Sequence, residues 1–235
     1  MHLALTNQIA VVTGASSGIG KAIALALGAQ GARLCLLGRN VRTLGLAAPH
    51  AAKFTLDLAN EPQICEVATR LQRDLGGVDI LIHSAGVFVP DRAGTAASAE
   101  FDRQRQINVQ APSLLTHELL PTLRVRQGQI VFINSSVSRQ PPAGVSQYTA
   151  TKTALKAFAD NLRNEVNGQG IRVLSVYPGR TATPMQAAIH RMEDKAYRPE
   201  QLLQPEDIAS VIINALSLPR TAEVTEIDIR PMHKS

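Results

Sequence analysis

Tyr148 and Lys152 stand four residues apart in SQYTATKTAL (146–155). At that spacing two side chains share one face of a helix. A phenol beside an ammonium group is a proton donor with a means of adjustment. Free tyrosine has a pKa of about 10, too high for efficient proton exchange near neutrality. A neighbouring positive charge favours the phenolate, so Lys152 is expected to draw the pKa of Tyr148 down. The pairing alone is more often packing than chemistry, and it gains meaning only from what else the chain carries.

A second set of residues points to an anionic ligand. TGASSGIG (13–20) places Gly14, Gly18 and Gly20 after an apolar run of strand length and directly before a helical pattern. In that setting a diphosphate can approach the bare backbone and meet the free N–H groups and positive end of the helix. An NAD site ordinarily carries Asp or Glu near the end of the second strand, to bind the ribose 2′-hydroxyl. Here that strand ends LLGRN, with Arg39 and Asn40 and no acid within reach. An arginine holds a 2′-phosphate that a carboxylate would repel. Arg39 therefore predicts NADP(H) rather than NAD(H), with Arg42 as a second contact.

These groups need a scaffold, and the hydrophobic pattern supplies one. Strand-like runs at 8–13, 33–38, 52–58, 79–86, 129–135, 171–178 and 225–231 alternate with helical patterns at 19–30, 62–76, 99–124, 147–167 and 205–217. The helix over 99–124 is expected to break near Pro112. Such alternation predicts an α/β fold, a Rossmann-like doubly wound parallel sheet of about seven strands with helices on both faces. No linker or repeat divides the chain, so residues 1–235 are read as one domain that binds cofactor and performs catalysis. Residues 184–204 are the main irregular region, with helical patches, and the expected substrate-binding loop. In such sheets ligands sit at the carboxyl ends of the strands.

Composition narrows the function. With 45% hydrophobic and only 3% aromatic residues, the core is built from Ala, Val, Ile and Leu, as in buried parallel strands. Cys35 and Cys65 have no CxxC spacing, and the six histidines form no H-x-x-x-H pair, so no metal site is expected. The N-terminus lacks a signal-peptide pattern and no run approaches a membrane span, which predicts a soluble, cytoplasmic protein. Residues 1–56 hold Lys21, Arg33, Arg39, Arg42 and Lys53 without one acid, so the whole excess of +5 lies there. Without a Lys/Arg run or stacking aromatics, that charge fits a small anionic ligand better than nucleic acid. The one G-x-S-x-G string, GASSG (14–18), is the glycine turn itself, so no separate elbow supports a serine hydrolase. His83, at a strand end, reads as a core histidine rather than a base.

With TGASSGIG at the front and Tyr148-x-x-x-Lys152 in the middle, the chain resembles the short-chain dehydrogenase/reductase family from Gln8 to about Ile229. The resemblance implies that Thr13, Gly14, Ser16, Ser17, Gly18, Ile19 and Gly20 bind the cofactor diphosphate. It implies that Asp57, with Leu58 beside it, meets the adenine, and that Arg39 and Asn40 border the adenosine ribose. The family's NNAG appears here as HSAG (83–86), a departure that keeps Ala85 and Gly86 near the cofactor ribose. Asn108 matches the catalytic asparagine and supports a water-borne proton relay to Lys152, which also reaches the nicotinamide ribose. Ser135, thirteen residues before Tyr148, matches the catalytic serine that orients the substrate oxygen, with Ser136 and Ser138 as rivals. Pro178, Gly179, Thr181 and Thr183 match the nicotinamide-carboxamide contact. Arg180 is a candidate contact for an acidic substrate or a cofactor phosphate.

The implied activity is hydride transfer between NADP(H) and a small carbonyl or alcohol substrate, with Tyr148 as general acid/base. The alternative is a cofactor-binding sensor or interaction protein of the same fold without turnover. The family also implies a homodimer or homotetramer, paired through the helices at 99–124 and 147–167.

Overall fold

The computed structural model describes residues 4–48, 50–90 and 98–232. Seven strands, β1 (Ile9–Thr13), β2 (Arg33–Gly38), β3 (Ala52–Thr55), β4 (Ile80–His83), β5 (Gln129–Ile133), β6 (Arg172–Pro178) and β7 (Glu226–Ile229), make one parallel sheet. Their order is β3-β2-β1-β4-β5-β6-β7. β1 pairs with β2 on one side and β4 on the other, with Thr13 opposite both Leu37 and His83. The chain therefore reverses direction across the sheet at β1 and β4, and a crevice opens at their carboxyl ends.

Both faces of the sheet are covered. On one face Val11, Leu81, Ile130 and Val173 pack against α3 (Glu61–Leu75), α5 (Ala111–Arg126) and α6 (Ser146–Val166). On the other, Ala10, Val12, Ile82 and Val131 pack against α1 (Gly18–Ala29) and α8 (Pro205–Leu216). Two-sided burial explains why the strands read as unbroken apolar runs. Local chemistry sets the helix ends. Asn60 Oδ1 accepts from Gln63 N at 3.1 Å to start α3, and Gly76, at φ 70°, closes it. Gln204 and Asp207 form a reciprocal capping box on α8.

The departures from the expected pattern lie near the crevice. β3 stops at Thr55 rather than 58, because Asp57 turns the chain by accepting from Ala59 N at 3.0 Å. α2 (Val41–Ala47) follows β2 and has no counterpart in the hydrophobic pattern; Asn40 Oδ1 starts it by accepting from Arg42 N at 2.8 Å. The expected helix over 99–124 divides into α4 (Ser98–Arg105), a π-helical turn (Gln106–Gln110) and α5. Pro112 has no N–H to offer the Asn108 carbonyl and its ring crowds that group, which the wider turn relieves. The region 184–204 is more ordered than expected. It holds α7 (Pro184–Met192), capped by Thr183 Oγ1 accepting from Gln186 N at 3.2 Å, and a 3-10 turn (Pro199–Gln201). A parallel bridge closes its base: Ala182 N donates to Leu203 O at 2.8 Å and Leu203 N to Arg180 O at 3.1 Å.

His83 fills the place of an asparagine in the HSAG segment by packing. Its ring stacks on Phe132 at 4.9 Å between centroids, and Nε2 lies 2.8 Å from Thr116 Oγ1. Burial pushes its pKa from 6.5 down to about 3. The unfolded chain binds this proton below about pH 6.5 and the folded chain does not. Folding stability should therefore fall with acidification, by up to about 1.4 kcal/mol per pH unit, until the pH nears the folded value. Urea denaturation across that range checks this: His83→Asn, which cannot titrate, should show the shallower pH dependence. Equal slopes in the two proteins would refute it.

Candidate active site

The turn from β1 into α1 is built for close approach. Gly14 and Gly18 adopt φ 68° and 52°, a region that penalises other residues. A Cβ on Gly14 would lie 2.8 Å from the Ala85 backbone, and one on Gly20 would collide with the Gly14 carbonyl. Side chains are thus excluded from a cradle at the N-terminus of α1, where Ser17 makes no side-chain cap. The cradle opens into a cavity of about 280 Å³ lined by Gly14, Ser16, Ser17, Gly18, Ile19 and Gly20. Its far wall holds Arg39, Asp57, Leu58, Ala85 and Gly86. Arg39 is exposed and has no ion-pair partner among the described residues. A long anionic ligand fits this donor set: bare amides and a helix terminus at one end, a free guanidinium at the other.

A second cavity, of about 500 Å³, shares Ile19, Thr183 and Met185 with the first, so the two adjoin. Tyr148 projects from the first turn of α6, and its ring meets Phe88 edge-on at 5.2 Å. Ser135, at the exit of β5, stands close enough to the Tyr148 side chain to lower its pKa and lines the same cavity. Of the rival serines, Ser136 lines the cavity, whereas Ser138 Oγ donates to Ser135 O at 2.8 Å and braces the turn.

Lys152 lies one turn behind Tyr148, 4% exposed, with Nζ donating to Ile133 O at 3.0 Å. Nζ is 5.9 Å from the centre of the Tyr148 ring. Here the expected electrostatics are corrected. Burial pushes Tyr148 up to about 12, only partly offset by nearby Ser135, and pulls Lys152 down to about 8. Spacing supplied the proximity, but the loss of water around both groups outweighs their attraction.

Asn108 sits in the π turn, 1% exposed, and its amide is fully engaged. Oδ1 accepts from Val87 N at 2.9 Å; Nδ2 donates to Val87 O at 2.9 Å and to Thr151 Oγ1 at 3.1 Å. Thr151 Oγ1 in turn donates to Tyr148 O at 2.8 Å. The side chain thus ties the loop after β4 to the first turns of α6. Pro112 offers no N–H to the Asn108 backbone carbonyl at the usual i+4 position.

The expected cofactor contacts divide between the two cavities and the elements that frame them. Thr13 does not line the first cavity: its Oγ1 donates to Ile82 O at 3.3 Å and accepts from Ser84 N and Ala85 N at 3.1 and 3.2 Å, which ties β1 to β4. Asn40 is also absent from that wall, because its side chain caps α2. Pro178, Gly179 and Thr181 line the second cavity, while Thr183 lines both. Lining residues that the sequence did not reveal include Ser84, Val87, Ile107 and Met185. Ser84 lies within the HSAG segment, Val87 follows it, and Met185 follows the Thr183-Pro184 cap signal, so adjacency was the available clue.

Known proteins with these features are numerous. The profile described as short chain dehydrogenase matches residues 8–194. An uncharacterized oxidoreductase of Staphylococcus aureus (strain N315) is 33% identical over 234 residues, covering 97% of this chain and 99% of its own. Among solved structures, a metagenomic short-chain oxidoreductase in complex with NADP superposes with a TM-score of 0.84 at 30% identity, over 98% of this chain and 100% of that one. An alcohol dehydrogenase from the archaeon Thermococcus sibiricus, complexed with 5-hydroxy-NADP, gives a TM-score of 0.88 at 26% identity, over 97% and 98% of the two chains. The chain, with its glycine cradle opening onto Tyr148 and Ser135, belongs to the short-chain dehydrogenase/reductase family of oxidoreductases.

Proposed function

We propose that this protein is an NADP(H)-dependent oxidoreductase that interconverts a carbonyl compound and its alcohol. The observation that carries the reading is the adjacency of the two cavities: the cradle's cavity and the one that holds Ser135 and Tyr148 share Ile19, Thr183 and Met185 in their walls. Gly14 to Gly20 would hold the diphosphate, Arg39 the 2′-phosphate and Asp57 the adenine, with Lys152 on the nicotinamide ribose. NADP in two structurally similar proteins supports the same cofactor. Bound there, NADPH supplies the hydride that becomes the carbinol hydrogen.

The chain's own residues do the rest. Ser135 donates a hydrogen bond to the substrate oxygen and stabilises the negative charge that grows there. Tyr148 then gives its proton to that oxygen, and a protonated Lys152 behind it stabilises the phenolate left behind. The carbonyl of Asn108 holds a water through which Tyr148 and Lys152 recover the proton. Oxidation runs these steps backwards. An oligomer paired through α5 and α6 belongs to the same reading.

A panel of aldehydes, ketones and alcohols, followed by nicotinamide absorbance, tests the proposal. Turnover with NADPH on at least one carbonyl class is expected. NADPH binding with no turnover across the panel would instead favour a cofactor-binding sensor.

A further inference from the structure

The cavity that holds Tyr148 and Ser135 has a charged rim that proton transfer does not use. Arg180 follows the exit of β6, Glu193 is the C-cap of α7, and Lys195 lies two residues further on. Arg180 Nη2 donates to both carboxylate oxygens of Glu193, at 2.9 and 3.0 Å, and Lys195 Nζ lies 3.0 Å from Oε2. Among the described residues lining this cavity, these three alone are charged, two cations against one anion. The wall also carries Phe88, Val137, Val145, Met185 and Ile189, so the cavity offers an apolar surface besides its polar groups.

Glu193 gains nothing from its helix. A carboxylate at a helix C-terminus faces the negative end of the dipole, where cations are favoured. It is held instead by Arg180 and Lys195, which keep its pKa below the ordinary carboxylate range. The rim remains open to solutes, since the Arg180 and Glu193 side chains are 31% and 32% exposed.

We propose that the substrate carries a carboxylate on an apolar stem, and that Glu193 occupies the carboxylate's position on Arg180 and Lys195 until the substrate displaces it. An internal competitor lowers apparent affinity by the fraction of time it blocks the site. Removing it should therefore strengthen carboxylate binding, while removing either cation should weaken it. This inference rests on the proposed carbonyl chemistry for which end reacts, whereas the anion subsite rests on the rim alone.

Titration calorimetry separates the two. A straight-chain alkanoate, its methyl ester and the matching alkylamine are titrated into the protein with and without NADPH. The alkanoate should bind tightest. Arg180→Gln or Lys195→Gln should cut its advantage over the ester about tenfold, and Glu193→Gln should widen it about threefold. Lys195 is 61% exposed, so its variant keeps the fold even if Arg180→Gln does not. Equal binding of alkanoate and ester, tightest binding of the amine, or weaker alkanoate binding by Glu193→Gln would each overturn the proposal. NADPH consumption with keto acids and keto esters is read in parallel. Failure of both to turn over, with the carboxylate preference intact, would sink the oxidoreductase reading and leave the subsite standing.

Discussion

Tyr148→Phe is expected to lower carbonyl reduction by about a thousandfold, within the range for loss of a general acid, while the folded protein still binds NADPH. The ring keeps its edge-on contact with Phe88, so only the hydroxyl and its interaction with Ser135 are lost. Ser135→Ala should cost about a hundredfold through weaker stabilisation of the developing oxyanion. The double variant should be little worse than Tyr148→Phe, because the two groups act on one oxygen. The pH profile follows from burial. With Tyr148 held at about 12, its proton is present throughout neutrality and does not limit reduction. Lys152, at about 8, does. For reduction, kcat/KM should stay level through neutral pH and fall above about pH 8, as the ammonium behind the phenolate is lost. Normal turnover by Tyr148→Phe would refute the mechanism.

Arg39→Asp is expected to reverse the cofactor preference. The guanidinium lies on the wall of the glycine-turn cavity without an ion-pair partner among the described residues, so nothing else is disturbed by its removal. Losing a charge-assisted contact to the 2′-phosphate and adding a repelling carboxylate together amount to about two orders of magnitude in the NADPH-to-NADH ratio of kcat/KM. The same carboxylate can accept from the 2′-hydroxyl of NADH. Cofactor titrations with a fixed substrate check this, and an unchanged ratio would defeat the assignment of Arg39.

Much of this architecture was legible in the sequence. Each core strand is buried on both faces, so QIAVVT, RLCLLG and QIVFINS had to be apolar without alternation. The glycine turn was legible because its requirements are steric: no Cβ fits at Gly14 or Gly20. α2 and α7 escaped the hydrophobic pattern because they are seven and nine residues long. Only their caps, Asn40 and Thr183-Pro184, announced them. Motif letters did not reveal which structural bonds each side chain makes. Thr13 and Asn40 sit in the right letters, yet their oxygens are spent on β4 and α2. The Tyr148 and Lys152 acidities turned on burial and on the Ile133 carbonyl, which no local spacing encodes.

The bridge between Thr181 and Leu203 gives the protein a detachable part. The chain leaves the sheet beside Arg180 and returns at Leu203 with its ends already hydrogen-bonded, so the excursion between them closes on itself. Lengthening such a closed excursion is thermodynamically gentle: doubling it costs about 0.6 kcal/mol in closure entropy. A graft of residues 182–202 between relatives would carry Met185, Ile189, Glu193 and Lys195 to a new host. On the function proposed above, the donor's substrate preference is expected to travel with that graft, while the proton chemistry stays with β5 and α6.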